Sequence, residues 1–164
     1  MLVDAFEPMG VTQLAVDSIF MMPQLGVLAS IHQEAATEVF ERDCLIMLGT
    51  VIAPVGKARR GKPLAKVRLD LPDGPRELTI SAGDLDLIPA ATNTMVHCRI
   101  EPAKGVDVGA GPGVPLETEL AGGEAGILID GRGRPLQIPL QADERVAAIE
   151  QWIKNLDIYP QRKA

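Results

Sequence analysis

The stretch PLAKVRLDLPDGPRELTIS, residues 63–81, decides the fold. From Lys66 to Leu71 charged and apolar residues alternate: Lys66, Arg68 and Asp70 against Val67, Leu69 and Leu71. That is the period of a strand with one face in a core and one in water. Pro72-Asp73-Gly74-Pro75 follows, where proline sets φ and glycine permits a positive φ, so the chain turns. Glu77–Ser81 then reads as the returning strand. Working outward, Leu48–Val55, Leu85–Pro89 and Thr94–Glu101 also read as short strands. Closely spaced strands with Gly/Pro turns predict a small antiparallel barrel or sandwich.

Beyond a glycine-rich connection, Lys104–Pro115, the segments Glu124–Asp130 and Leu136–Leu140 flank Gly131-Arg132-Gly133-Arg134-Pro135 and read as a β-hairpin. Asp143 opens a last helix with Val146, Ile149, Trp152, Ile153 and Leu156 on one face, and Trp152 is expected to plug it onto the sheet. The tail, Tyr159–Ala164, is expected to fray.

The composition changes near residue 45. Leu2, Val3 and Phe6 suggest the end of a helix stopped by Pro8 and Gly10. Thr12–Asp17 alternates as a short strand. Ser18 is a candidate cap for a helix that starts nearer Met22, with Pro23 in its first turn. A further segment, His32–Asp43, ends near Cys44. The expected fold is therefore α+β, mainly β: a small antiparallel barrel or sandwich with an N-terminal helix-strand-helix segment and a C-terminal helix. Residues 1–44 read as the edge of a larger α/β unit, and residues 45–164 as a β-rich domain ending in an amphipathic helix.

Net charge is −6 and aromatic content 3%. An acidic chain lacks the positive surface that phosphate backbones require, and few rings are present to stack bases, so nucleic acid is not an expected partner. The longest apolar runs, Ile19–Ile31 and Leu45–Gly56, are too short to span a bilayer and contain Pro23, Gln24 and Pro54. No basic segment followed by an apolar core opens the chain. A cytoplasmic location follows as the expectation, with Cys44 and Cys98 reduced and unbridged.

The candidates for chemistry are few. His32 and His97 fall in different elements, with no HxxxH or HExxH pair. His97 and Cys98 are neighbours in a strand and point to opposite faces, which disfavours a Cys-His nucleophile pair. No catalytic set, metal site or cofactor site is read. Asp107-Val108-Gly109-Ala110-Gly111 resembles the phosphate-binding hairpin of actin-like ATPases, but Pro112 removes a donor and no Ser or Thr follows at the usual place, so it reads as a connection. Gly83-Asp84 faintly resembles the Gly-Asp turn of small cradle-loop barrels, in which the aspartate bonds neighbouring backbone. Possible anion or partner contacts are Arg132 and Arg134, with the basic run Lys57, Arg59, Arg60 and Lys62.

The order of segments LGTVIAPVGKARRGKPLAKVRL (48–69), DLDLIPA (84–90), VDVGAGPG (106–113) and GGEAGILIDGRGRPLQIP (122–139) before a terminal amphipathic helix resembles the C-terminal region of the glutamate mutase L-like (MutL) family. The opening FEPMGVTQLAVDSIFMMPQLGVLASI (6–31), with Asp17, Pro23, Gly26, Leu28 and Ala29, resembles the last part of that family's actin/Hsp70-like ATPase domain. The resemblance implies a partial C-terminal section, Met1 being an accidental start, of an ATPase or chaperone associated with coenzyme-B12-dependent mutases. The phosphate-binding motifs of such an ATPase are missing from this chain. The function expected is a non-catalytic accessory or interaction region, its partner being a protein or the rest of the parent chain, met through residues 1–44, with a homo-oligomer also possible. Alternatives are a free-standing β-barrel module that binds a small ligand or protein, and a small hydrolase built on an acid pair such as Asp84 and Asp130.

Overall fold

The computed structural model describes residues 2–157, the side chain of Leu2 excepted; the expected fraying of Tyr159–Ala164 lies outside the described residues. Helix α1 (Leu2–Phe6) leads into strand β1 (Gly10–Asp17), helices α2 (Met22–Ala29) and α3 (Gln33–Val39), and a π-helical turn, Phe40–Cys44. Strands β2 (Leu45–Ala53), β3 (Pro63–Leu71), β4 (Gly74–Ser81), β5 (Leu85–Ile88), β6 (Met95–Pro102), β7 (Leu116–Ala121) and β8 (Gly126–Asp130) follow, and helix α4 (Ala142–Asn155) is the last element among the described residues. The fold is α+β, mainly β, as expected. The strands form two four-stranded sheets and no closed barrel.

One sheet runs β4-β3-β6-β7 and is antiparallel throughout. Its nucleus is the β3–β4 hairpin, in which Leu71 pairs with Gly74 across Pro72 and Asp73. The other runs β1-β2-β8-β5, and within it β8 lies parallel to β2 and antiparallel to β5. One apolar cluster joins them: Val67, Leu69, Val96 and Ile100 from the first sheet meet Ile52, Ile127 and Ile129 from the second. The chain builds this core from aliphatic residues and Cys98, without an aromatic ring, as its low aromatic content demands.

Three expectations need correction. The segments flanking Gly131–Pro135 do not form a hairpin: β8 pairs with β2 and β5, and residues 136–140 are not a strand. Strand β7 was not foreseen, because Leu116-Glu-Thr-Glu-Leu-Ala offers only Leu116 and Leu120 as strong apolar residues, glutamate being a poor strand former; Leu120 is nevertheless fully buried. Ser18 caps no helix. Its hydroxyl donates to the Cys44 carbonyl, while Asp17 Oδ1 accepts from the amides of Ile19 and Phe20 and turns the chain.

The composition break at residue 45 is not a break in hydrogen bonding. Strand β1 pairs with β2 from Gly10↔Ala53 to Asp17↔Leu45. The close approach of β2 to β8 requires glycine: a Cβ on Gly49 would overlap the Gly126 carbonyl oxygen. By contrast, α2 and α3 pack on each other with Leu25 and Ala36 as their only buried residues. His32 caps α3, its Nδ1 accepting from the Ala35 amide.

Trp152 docks α4 as anticipated, burying itself with Ala148 against Leu85 of β5. Val146 and Ile149, expected on the same face, are exposed. The docked face is Ala148, Trp152 and the Asn155–Leu156 end, one step round the helix from the stripe the spacing suggests. The Trp152 indole also donates to the Gly83 carbonyl at 2.8 Å. Trp152→Ala should destabilise the protein by about 3–5 kcal/mol, read as a lower denaturation midpoint; an unchanged midpoint would mean that α4 is undocked in solution. Cys44 and Cys98 are both buried and unbridged, and burial, helped by the Asp70 charge, pushes the Cys98 thiol up to about 12. Ellman titration should therefore find both thiols free in denaturant, and Cys98 unreactive in the native protein.

Candidate functional site

Strand β8 ends in Asp130, a carboxylate with no exposed surface. An isolated buried charge is prohibitively costly, so the next residues must supply its partners. Gly131 reverses the chain so close to the Ser81 carbonyl oxygen that no Cβ fits there. Arg132 then folds back on Asp130 as a fork: Nε donates to Oδ1 at 2.9 Å, Nη2 to Oδ2 at 2.9 Å, and its own amide to Oδ1 at 3.0 Å. Arg134 adds a fourth donor, Nη2 to Oδ2 at 2.9 Å. Burial by itself would raise the Asp130 carboxyl, but the Arg132 hydrogen bonds and the charges of Arg132 and Arg134 outweigh it and hold the group below the usual carboxylate range.

The same arginines bind the N-terminal segment. Arg132 Nη2 meets Asp4 Oδ1 at 2.7 Å, Arg134 Nε donates to the Pro8 carbonyl at 2.7 Å, and the Leu136 amide donates to Glu7 Oε1 at 2.8 Å. Arg132 and Arg134 are thus buried in ion pairs, not displayed on a hairpin tip. Sequence reasoning missed this because Asp130 was weighed as an acid and the arginines as anion binders, never as one unit; the i, i+2 and i, i+4 spacing of opposite charges was the available signal. The two carboxylates weighed as an acid pair are engaged by different groups. Asp84 Oδ2 accepts from the Ser81 amide and holds the turn before β5, as in the Gly-Asp turn it resembles, while Asp130 is taken up by arginine.

Of the basic run, Arg60 reaches this cluster. Its guanidinium carbon lies 5.9 Å from the Trp152 ring centroid, and that of Arg132 lies 5.2 Å from it. Arg60 packs over Gly83, where a side chain would collide with it. Gly56, Arg60, Gly83, Arg132, Gln137 and Leu140 surround a cavity of about 290 Å³ between the loop before β3, the Gly83 turn and the loop after β8. Lys57, Arg59 and Lys62 are exposed on the same loop but stand outside the cavity lining.

The glycine-rich loop after β6 is held by its own aspartate. Asp107 Oδ1 accepts from the amides of Gly109 at 2.7 Å and Gly111 at 3.0 Å, so the loop's donors already hold a carboxylate. His97 lies on the exposed face of the antiparallel sheet between Glu117 at 3.1 Å and Glu119 at 3.2 Å. Among the described residues no cluster of three or more His, Cys, Asp or Glu could hold a metal ion, and no helix is long and apolar enough to cross a membrane. No family model matches the chain, nor does any curated protein or solved structure.

Removing the carboxylate charge leaves Arg132 and Arg134 buried with one acid fewer. Asp130→Asn should cost about 3–5 kcal/mol of unfolding free energy. The Asp130 carboxyl is lowered on folding from an ordinary 3.8, so its contribution is fully present above that pH and is lost as pH falls through the folded-state value. Denaturation midpoints should decline below about pH 4 in the wild type, and less steeply in Asp130→Asn.

Proposed function

We propose that this chain is a non-catalytic interaction region, whose N-terminal segment and adjoining sheet face dock on the actin-like ATPase body of a glutamate mutase L-like protein. The carrying observation is where the large apolar side chains are exposed. Phe6, Met9, Val16, Ile19, Phe20, Met22, Val27, Ile31 and Ile46 all lie within residues 6–46, and Phe20 and Ile31 are 83% and 82% exposed. The outer face of the β1-β2-β8-β5 sheet also carries an apolar cleft of about 340 Å³, lined by Val3, Leu14, Leu48, Val51, Ala125 and Leu128. The antiparallel sheet has the opposite outer face: Lys66, Arg68, Glu77, Arg99 and Glu101 line it. Apolar exposure concentrated in one short segment is a usual mark of a partner surface; the other exposed large apolar residues, Met95, Val114, Ile138, Leu140, Val146 and Ile149, are scattered along the chain.

Strand β1 adds a second means of recognition. It is the edge of its sheet, with backbone groups free on one side for a partner strand. The choice of an ATPase body as occupant follows from the resemblance of residues 6–31 to the end of such a domain.

The reading is tested by mixing the chain with the purified ATPase region of a glutamate mutase L-like protein and weighing the products by light scattering. A stoichiometric complex is expected, with affinity reduced at least roughly tenfold by Phe20→Asp combined with Ile31→Asp. Separate elution of the two proteins, or a complex indifferent to those substitutions, would overturn it. A dimer of this chain alone, lost on the same substitutions, would instead assign the face to self-association.

A further inference from the structure

We propose that the cavity between Arg60 and Arg132 is a binding site for a small organic monoanion, a carboxylate carrying a short apolar body. The site is independent of the docking face. Four observations converge on it.

The first is an unused donor. Arg132 is 6% exposed. Its Nε and Nη2 are spent on Asp130 and Asp4. Its Nη1 donates to none of the described residues, yet it is not among the sealed, unsatisfied side-chain atoms. Arg132 lines the cavity, so its guanidinium, with one nitrogen unspent, belongs to the cavity wall. A guanidinium edge held so rigidly is pre-organised for a carboxylate.

The second is uncompensated charge. In a chain of net charge −6, the loop at the cavity mouth carries Lys57, Arg59, Arg60 and Lys62. All four are exposed, and none forms an ion pair with an acid among the described residues. Arg60 is nevertheless placed, resting on Trp152 and Gly83. Two guanidinium groups thus lie near one indole, and both arginines line the cavity.

The third is the apolar remainder of the lining. Leu64, Ala82, Ile138 and Leu140 share the cavity with the arginines. Leu140 is 93% exposed at its rim, an aliphatic side chain that a ligand's hydrocarbon body would cover. Small-ligand sites combine such walls with one or two placed charges.

The fourth concerns ligand charge. Glu144 also lines the cavity, and Asp130 and Asp4 stand behind Arg132. A second negative charge on the ligand would meet these acids, so a monoanion is favoured over a phosphate dianion.

Trp152 is the only tryptophan in the chain and touches both arginines, so its emission reports on the site. The full chain is titrated with hexanoate, hexanol and inorganic phosphate, followed by fluorescence and calorimetry. Hexanoate is expected to saturate with a dissociation constant of about 1 mM or tighter, and hexanol and phosphate to show no saturation in that range. Arg60→Gln, an exposed change expected to preserve the circular dichroism spectrum, should weaken hexanoate roughly tenfold. Leu140→Ser should abolish the preference for hexanoate over acetate while leaving Arg60 in place. Absence of saturation to about 10 mM hexanoate would overturn the proposal. So would equal binding of hexanol, which indicates an apolar cleft only, preferential binding of phosphate, or hexanoate affinity unchanged in both variants.

Discussion

Asp130 is the constraint on which the rest depends. A carboxylate at the inner end of β8 with no access to water must be met by cations and donors, and the chain supplies them within four residues: the Arg132 fork and amide, then Arg134. Those arginines are then themselves buried and need further acceptors, which come from Asp4, Pro8 and the carboxylate itself. One buried charge therefore recruits the N-terminal segment into the fold, fixes the loop after β8 and, through Arg132, sets the position of Trp152 and of α4. Such an ion cluster is poor at adding stability compared with apolar packing, but good at excluding alternatives, since any other arrangement leaves a charge unpaired.

The two outer faces of the molecule follow different rules. The antiparallel sheet turns a lattice of opposite charges to water, with Arg68 near Glu77 and Arg99 near Glu101. Exposed pairs like these contribute little energy, and their effect is solubility. The mixed sheet packs one face on the antiparallel sheet; on its outer face α4 covers Leu85 and part of Leu128, and an apolar cleft stays open beside it. The helical pair α2–α3 buries only Leu25 and Ala36 of its own.

What could be read from the sequence was what local pattern determines. The alternation from Lys66 to Leu71 marks β3, because there Val67 and Leu69 lie in the core while Lys66, Arg68 and Asp70 face water. The start of α2 at Met22 was legible from Pro23, which tolerates only the first turn of a helix. What escaped was set by distant contacts. Strand β7 has little intrinsic preference and is held by β6. The parallel β2–β8 pairing joins segments some seventy residues apart, and no local signal distinguishes a strand that enters the middle of a sheet from one arm of a hairpin. Arg60 and Arg132 were both visible as cations, but only the fold brings them to the same indole. The helix α4 face was misjudged by one position because Trp152 docks with small Ala148 beneath it, and pattern reading favours the larger Val146 and Ile149.

The insertion of β8 between β2 and β5 also orders events in time. The antiparallel sheet draws its strands from residues 63–121, with only β5 of the other sheet between them, so its pairings span shorter stretches of chain. Strand β5 has no partner other than β8 in its sheet, and β2 has only β1, until residues 126–130 arrive. During synthesis and folding, both strands wait with unpaired edges for a segment far along the chain, and closing so long a loop is entropically slow. Because Asp130 ends that segment, the arginine cluster is assembled in the same late step. The glycine pair Gly49–Gly126 matters most at that moment: with no side chain on either residue, a strand arriving last meets no steric gate where it must slide closest to its neighbour.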